Sequence, residues 1–304
     1  MSTDWIDRRV AAGGIVLIDG AMGTELQRRG VHMDQHAWSG IAVLEHGAIV
    51  RQIHEDYIRA GADVIITNTF ASSRRALEPA GHGADVAGIN RQAVDLARQA
   101  RERAADRPVA IAGSISTYFG RLDPPKAPDP AQERAAYREQ AELLAGAGCD
   151  LIALEMMSDV EQTEFALDAA LAVGLPVWLG LSVRRPEADG AVMLFDESHT
   201  LAEAVTAFAG RPIAAVTVMH SRVPVTAPAL AIVRRHWSGL VGVYPHAGRF
   251  KMPEWQFIDG MSPDDYAREA AGWVAQGAAL VGGCCGIGPA HIQRLAAVLR
   301  PNAG

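Results

Sequence analysis

Cysteine is scarce in this chain, three in 304 residues, and two of the three are adjacent. So few thiols exclude a disulfide framework, and a reducing compartment would leave them free to hold metal. No apolar run approaches the ~20 residues that cross a bilayer, so no membrane span is expected. Basic residues are scattered rather than clustered, and the net charge is -7. That distribution excludes nucleic acid as a main partner, because neutralising phosphates needs a concentrated basic face. The segment Met1 to Arg9 is polar and lacks the apolar core of a leader, so a cytoplasmic location is expected. No dinucleotide fingerprint, low-complexity linker or segment resembling a corrinoid-binding domain interrupts the chain. One domain over 1–304 is the organisation this implies.

What is present is an alternation of short apolar runs with longer amphipathic segments. Eight runs read as strands: Gly14 to Gly20, Asp63 to Thr69, Pro108 to Ile115, Asp150 to Met156, Pro176 to Val183, Ile213 to His220, Leu240 to His246 and Ala279 to Cys285. Most are apolar throughout, as parallel strands covered on both faces must be. Between them, Ser158-Asp159-Val160-Glu161 predicts a capping box opening a helix to Val173, and Ser262-Pro263-Asp264-Asp265 predicts a second helix start. Ala60-Gly61-Ala62-Asp63, Ala147-Gly148-Cys149-Asp150 and Gln276-Gly277-Ala278-Ala279 read as helix-to-strand turns of one type. Eight such units make an α/β fold of the (β/α)8 TIM-barrel kind, with a doubly wound open sheet as the competing architecture. Two long loops, 120–130 and 247–261, leave the ends of strands where such a barrel places its site. The second carries Phe250, Trp255 and Phe257.

The strands finish in polar residues. Asp19, Thr67-Asn68-Thr69, Ser114, Glu155, Ser182, His220, Tyr244 with His246, and Cys284-Cys285 occupy the eight tips in order. Each alone is weak, since turn-forming residues commonly end strands; together they describe one face. The run Gly282-Gly283-Cys284-Cys285-Gly286 suits a metal, because adjacent side chains reach one ion only where the backbone turns sharply. Glycine permits that turn. Two buried small hydrophobes or a vicinal disulfide are the other readings of the pair. His220, ending the sixth run, completes a Cys2His set with one open position, a familiar catalytic zinc arrangement. Cys149 begins its strand at the opposite end and is assigned to packing.

Zinc with thiolate ligands lowers the pKa of a bound thiol and delivers a thiolate at neutral pH. A carboxylate such as Asp19 or Glu155 would pair with a substrate ammonium. The set therefore suits an amino-acid thiol attacking an electrophilic carbon.

The chain resembles the homocysteine S-methyltransferase family. The resemblance is carried by Asp19-Gly20-Ala21-Met22-Gly23-Thr24-Glu25, Ala60-Gly61-Ala62-Asp63 through Thr67-Asn68-Thr69-Phe70, Gly113-Ser114-Ile115, Leu154-Glu155, Val243-Tyr244-Pro245 and Gly282-Gly283-Cys284-Cys285-Gly286. These segments span nearly the whole chain in the family's order. The resemblance implies a (β/α)8 barrel, zinc on Cys284 and Cys285, and an amino-acid thiol gripped near Asp19 and Glu155. One departure is pronounced: the family pattern ends its sixth strand in Asn-Cys, that cysteine being the third zinc ligand, where this chain has Met219-His220. His246 stands where asparagine is usual, and Ser116-Thr117 where Gly-Pro is common.

The expectation is a zinc-dependent methyl transfer from a sulfonium, ammonium or corrinoid-type donor to a thiol, homocysteine first among acceptors, in the manner of methionine biosynthesis. His220, Cys284 and Cys285 would hold Zn2+. Asp19 and Glu155 would orient the acceptor, and Thr67, Asn68, Ser114, Tyr244 and His246 would line the pocket. A separate corrinoid protein is one source of the methyl group left open. So are a different small thiol, another zinc-dependent reaction, and a relative that binds without turnover.

Overall fold

The computed structural model describes residues 2–117, 129–186, 190–251, 254–258 and 260–300. Eight parallel strands form the core: β1 (Val16–Leu17), β2 (Val64–Ile66), β3 (Ala110–Ser116), β4 (Leu151–Met157), β5 (Val177–Leu181), β6 (Ala215–Arg222), β7 (Leu240–His246) and β8 (Leu280–Val281). Each pairs with its neighbour in chain order, and β8 returns to β1 with Leu280 opposite Val16. A bridge between Ile18 and Val64 joins β1 to β2 and closes the cylinder. The fold is therefore the (β/α)8 barrel, and the open-sheet alternative is excluded. Strand side chains are buried almost without exception, as in a sheet covered by helices on one side and filled by side chains on the other.

The strands fall on the stretches that the apolar runs predict, β3 and β4 each running one residue further, to Ser116 and Met157, and two differences are larger. β1 and β8 are two residues long, because Asp19-Gly20 and Gly282-Gly283 leave regular pairing to build the mouth. β6 runs past His220 to Arg222 through a break in register between Met219 and Arg222.

The three helix-to-strand turns share one geometry, with Gly61, Gly148 and Gly277 at φ 112°, 96° and 99°. In two of them the aspartate that follows is buried at the barrel floor. Asp63 Oδ2 accepts from Leu17 N at 2.9 Å, and Asp150 Oδ2 accepts from Ile111 N at 2.8 Å and Arg101 at 2.7 Å. Each ties one strand to the next and is neutralised by arginine, so these acids belong to the fold rather than the chemistry.

The helix Val160–Ala172 is capped one residue later than its sequence suggests. Asp159 accepts from Gln162 N at 2.7 Å, and Ser158 makes no cap. Aspartate at the N-cap, three residues before the N3 amide, has the right reach. The Ser262 cap and the proline after it stand as read. The 120–130 loop falls outside the described residues except for Asp129, an N-cap, and Pro130, which opens the helix Pro130–Ala147. Within 247–261 the described residues form a short antiparallel pair, Arg249–Lys251 with Glu254–Gln256. Gln27 anchors it, giving and accepting hydrogen bonds with the Trp255 backbone at 2.8 and 2.9 Å. Among the described residues no helix is long and apolar enough to cross a membrane.

Candidate active site

Two interruptions in strand geometry create the site. β4 shifts register between Leu154 and Met157 with Met156 at φ 54°, and β6 shifts at Met219 with His220 at φ 48°. Bulges re-aim side chains, and a non-glycine residue at positive φ persists only where its surroundings enforce it. Here they bring Glu155 and His220 face to face. His220 Nε2 and Glu155 Oε2 are 2.8 Å apart, and Ser114 Oγ donates to the other Glu155 oxygen. The remaining ring nitrogen, His220 Nδ1, is 3.1 Å from Cys284 Sγ. Cys284 Sγ is in turn 3.7 Å from Cys285 Sγ, so the pair is not a disulfide.

The glycines around the cysteines divide their work differently from the sequence expectation. Gly286, at φ 87°, makes the turn. Gly282 and Gly283 instead allow close approach: a Cβ on Gly282 would lie 2.8 Å from Asp19 O, and one on Gly283 2.5 Å from Tyr266 Oη. Cys149 is buried at the other end of the barrel, its thiol pushed up to about 12 by burial, in keeping with packing.

Beneath the mouth, Asp19 is buried. Its Oδ2 accepts from Ile66 N at 2.8 Å, and Tyr244 Oη donates to Oδ1 at 3.3 Å and to Gly20 O at 3.0 Å. Burial raises the Asp19 carboxyl well above its usual range, the hydrogen bonds from Ile66 and Tyr244 offsetting only part of that, with Glu155 adding to it. An ammonium docked nearby would reverse the shift. Burial alone would lower His220, but the neighbouring Cys284 and Glu155 outweigh it and raise the imidazole to about 10. Burial beside Cys285 raises the Cys284 thiol. The Glu155 carboxylate at 2.8 Å holds the imidazole toward its charged form.

Two cavities meet at these groups. The narrow one is lined by Gly20 to Gly23, Thr67, Asn68, Glu155, Tyr244, His220 and both cysteines. Ser114 stands outside that lining, behind Glu155. The second, about 240 Å³, is walled by Trp38, Phe70, Met156, Phe195, Phe250 and Trp255, with His246 and Ser182. His220 and Cys285 belong to both, as do Trp38 and Phe70. His246 thus lies apart from Asp19 and Asn68; burial, with His220 and Arg222 nearby, lowers it to about 4. Asn68 is held by Ser39, donating to its carbonyl at 2.8 Å. Thr67 faces inward to Thr69 Oγ1 at 2.7 Å and accepts from Ser114 N at 3.2 Å.

Trp38, Ser39 and Phe195 were not legible as site residues, because they lie on loops outside any strand-tip pattern. Phe70 directly follows the Thr67-Asn68-Thr69 tip and carried that signal. Among the described residues no three or more His, Cys, Asp or Glu side chains already converge as a metal cage.

A closed (β/α)8 barrel whose strand tips join two thiols, an imidazole and two carboxyls between two cavities defines an enzyme of the barrel class, acting at the C-terminal face. Residues 16–299 match the family profile described as homocysteine S-methyltransferase. The homocysteine S-methyltransferase of Escherichia coli K12 is 31% identical over 312 residues, covering 93% of this chain and 94% of that one. Homocysteine S-methyltransferase 4 of Zea mays is 28% identical over 95% of this chain and 90% of its own. The metallated form of the homocysteine methyltransferase MmuM from Escherichia coli superposes with a TM-score of 0.78 at 26% identity, covering 97% of this chain and 98% of that one. The chain belongs to the homocysteine S-methyltransferase family and is an S-methyltransferase.

Proposed function

We propose that the protein transfers a methyl group to the sulfur of homocysteine, with Zn2+ held by Cys284, Cys285 and His220. The observation that carries this reading is the contact of Cys284 Sγ with both Cys285 Sγ, at 3.7 Å, and His220 Nδ1, at 3.1 Å, where the two cavities meet. A tetrahedral ion with Zn–S bonds of about 2.3 Å separates its sulfurs by roughly 3.8 Å, so the thiol pair fits as it stands. The imidazole needs to withdraw by a few tenths of an ångström to leave room, which makes this a near-formed site rather than a finished cage. Glu155 on the far ring nitrogen supplies the carboxylate–histidine support common behind metal ligands. Bound there, zinc would lower the pKa of the acceptor thiol so that it reacts as thiolate at neutral pH.

The residues of the chain do the positioning. Asp19, its carboxylate braced by Ile66 N and Tyr244, would take the acceptor ammonium through the narrow cavity. Asn68, fixed by Ser39, would hydrogen-bond the acceptor's polar end. Glu155, with Ser114 on one oxygen and His220 on the other, would orient the imidazole more than grip substrate, a share that the sequence did not suggest. The donor would enter through the aromatic cavity, so that its methyl carbon approaches the sulfur at the shared wall. In the transfer a sulfur–carbon bond forms and the donor–methyl bond breaks. The donor heteroatom keeps the bonding pair, and the thiol proton would pass to solvent water as the acceptor docks.

A different small thiol is the second reading, favoured by His220 where the family resemblance implies cysteine. The deciding experiment measures zinc in the purified, reduced protein and, in parallel, methylation of homocysteine and of other small thiols from a panel of donors. About one zinc per chain with homocysteine methylation supports the reading. Zinc with methylation of another thiol alone supports the second. No zinc and no transfer, after zinc supplementation, overturns both.

A further inference from the structure

Two hydroxyls at the tip of β3, those of Ser116 and Thr117, make contacts that the methyl-transfer reading leaves unused. Ser116 is the last residue of the strand and stands in register with Glu155 on β4. Both side chains are buried. Thr117 Oγ1 donates to the carbonyl of Met156, the residue at φ 54° in the β4 bulge, and lies 3.4 Å from Ser158 Oγ just beyond it. Ser116 Oγ reaches the other way and donates to the Phe70 carbonyl at 2.6 Å, just past the tip of β2. Two adjacent residues therefore grip the neighbouring strand ends on both sides.

Both gripped residues bear on His220. Met156 directly follows Glu155, and the bulge it makes turns the Glu155 carboxylate to within 2.8 Å of His220 Nε2. A methionine at positive φ persists only while its surroundings enforce it, and the register of β4 is broken at this point. The Thr117 hydroxyl meets the Met156 carbonyl there; removing it takes a donor from that carbonyl and frees the strand to relax toward extended backbone. Phe70 covers the imidazole from its flat side, with ring centroids 5.0 Å apart and planes inclined by 30°. Glu155 thus fixes the edge of the ring and Phe70 its face. We propose that Ser116 and Thr117 are positioning residues for His220: Thr117 locks the bulge that aims Glu155 at Nε2, and Ser116 holds the backbone from which Phe70 lies over the ring. What the imidazole is positioned for rests on the methyl-transfer reading. The positioning itself does not.

The test compares Thr117→Val, which keeps the shape and removes the hydroxyl, with Thr117→Ser, which keeps the hydroxyl, in the full-length protein as purified. The first readout is nuclear magnetic resonance with isotope-labelled histidine. A ring proton on Nε2 held by Glu155 resonates downfield and exchanges slowly with solvent, and its loss in His220→Ala assigns it. We expect Thr117→Val to speed that exchange by about 3–10-fold, the worth of one hydrogen bond, and Thr117→Ser to stay near the parental rate. Ser116→Ala deletes a single oxygen and should speed the exchange as well, through Phe70, a reading that does not depend on how the valine variant folds. The second readout is kinetic: in Thr117→Val kcat should fall by a similar factor while KM for homocysteine stays within about two-fold. In a Glu155→Gln background Thr117→Val should add nothing further, because the group it acts through is already disabled. A parent protein without a protected ring proton, an exchange rate unmoved in both Thr117→Val and Ser116→Ala, equal losses in the valine and serine variants, or a full effect of Thr117→Val beside Glu155→Gln would overturn the proposal. Faster ring exchange in variants of a protein that methylates no thiol would keep the positioning and sink methyl transfer. Methyl transfer with a ring signal indifferent to both residues would do the reverse.

Discussion

His220 Nε2 lies 2.8 Å from Glu155 Oε2, and that contact fixes which ring nitrogen faces the thiols. With Nε2 committed to the carboxylate, Nδ1 is left toward Cys284 Sγ at 3.1 Å. Glu155→Gln keeps the shape and removes the charge behind the imidazole. The expected result is zinc retention and kcat/KM lowered by about 10–100-fold, as when a carboxylate behind a metal-bound histidine is lost. Zinc retained after dialysis against a chelator, measured with steady-state kinetics, checks it. A raised KM for homocysteine with unchanged zinc would instead return Glu155 to gripping the substrate.

Substituting His220 itself separates ligand from spectator. His220→Ala should lose zinc and activity together, because two thiolates leave the ion short of protein ligands. His220→Cys should retain about one zinc per chain, since a third thiolate is as good a donor and the family resemblance implies cysteine there. Elemental analysis of the three proteins side by side reads both outcomes. Full zinc in His220→Ala would remove the histidine from the site.

The strand tips were legible because a barrel needs apolar strands that end in polar groups at one rim, and the period of the chain exposes both. The cysteine pair and His220 stand next to each other in space as the strand count implied. What the sequence hid depends on geometry that has no period. The bulges at Met156 and His220 follow from register breaks, and only those turn Glu155 toward the imidazole. Trp38 reaches the mouth from a loop between helices, and Phe195 reaches it from another loop, far off in the chain. Nothing in local spacing announces such convergence. The cap at Asp159 rather than Ser158 was a choice between neighbours that hydrogen-bond reach alone decides.

His54 predicts an acid-labile fold. It is fully buried on the helix Ala42–Ala60, both ring nitrogens lack a partner among the described residues, and burial lowers it from 6.5 to about 3. In the unfolded chain it protonates below about pH 6.5, whereas the folded chain resists until near 3. The unfolded state therefore binds more protons in that window, and stability falls as pH drops through it, by at most about 1.4 kcal/mol per pH unit from this group. His54→Leu should flatten the dependence and match or exceed the parent at neutral pH, since no unsatisfied ring nitrogen is left behind. Chemical denaturation of both proteins at several values between pH 7 and 4.5 measures the difference. Parallel curves would assign the acid sensitivity elsewhere.

Gly23 controls the wall that both cavities share. A Cβ at this position would come within 2.4 Å of the Trp38 indole, with two further ring atoms at 2.7 and 2.9 Å. Those contacts are to a side chain, so the ring rather than the backbone must give way. Trp38 stands edge-on to Phe70 at 5.9 Å and to Phe250 at 6.3 Å, so its displacement is transmitted to the aromatic cavity as well as to the acceptor cavity. Gly23→Ala should destabilise the fold by about 1–3 kcal/mol, the usual cost of one added methyl in a filled site. It should also raise KM for both substrates, leaving zinc content unchanged because Trp38 touches no donor atom named for the ion. Thermal denaturation, steady-state kinetics and elemental analysis on one preparation distinguish the cases. Lost stability with both KM values intact would mean that the indole moves away from the mouth rather than into it, and that the two substrates do not lean on Trp38.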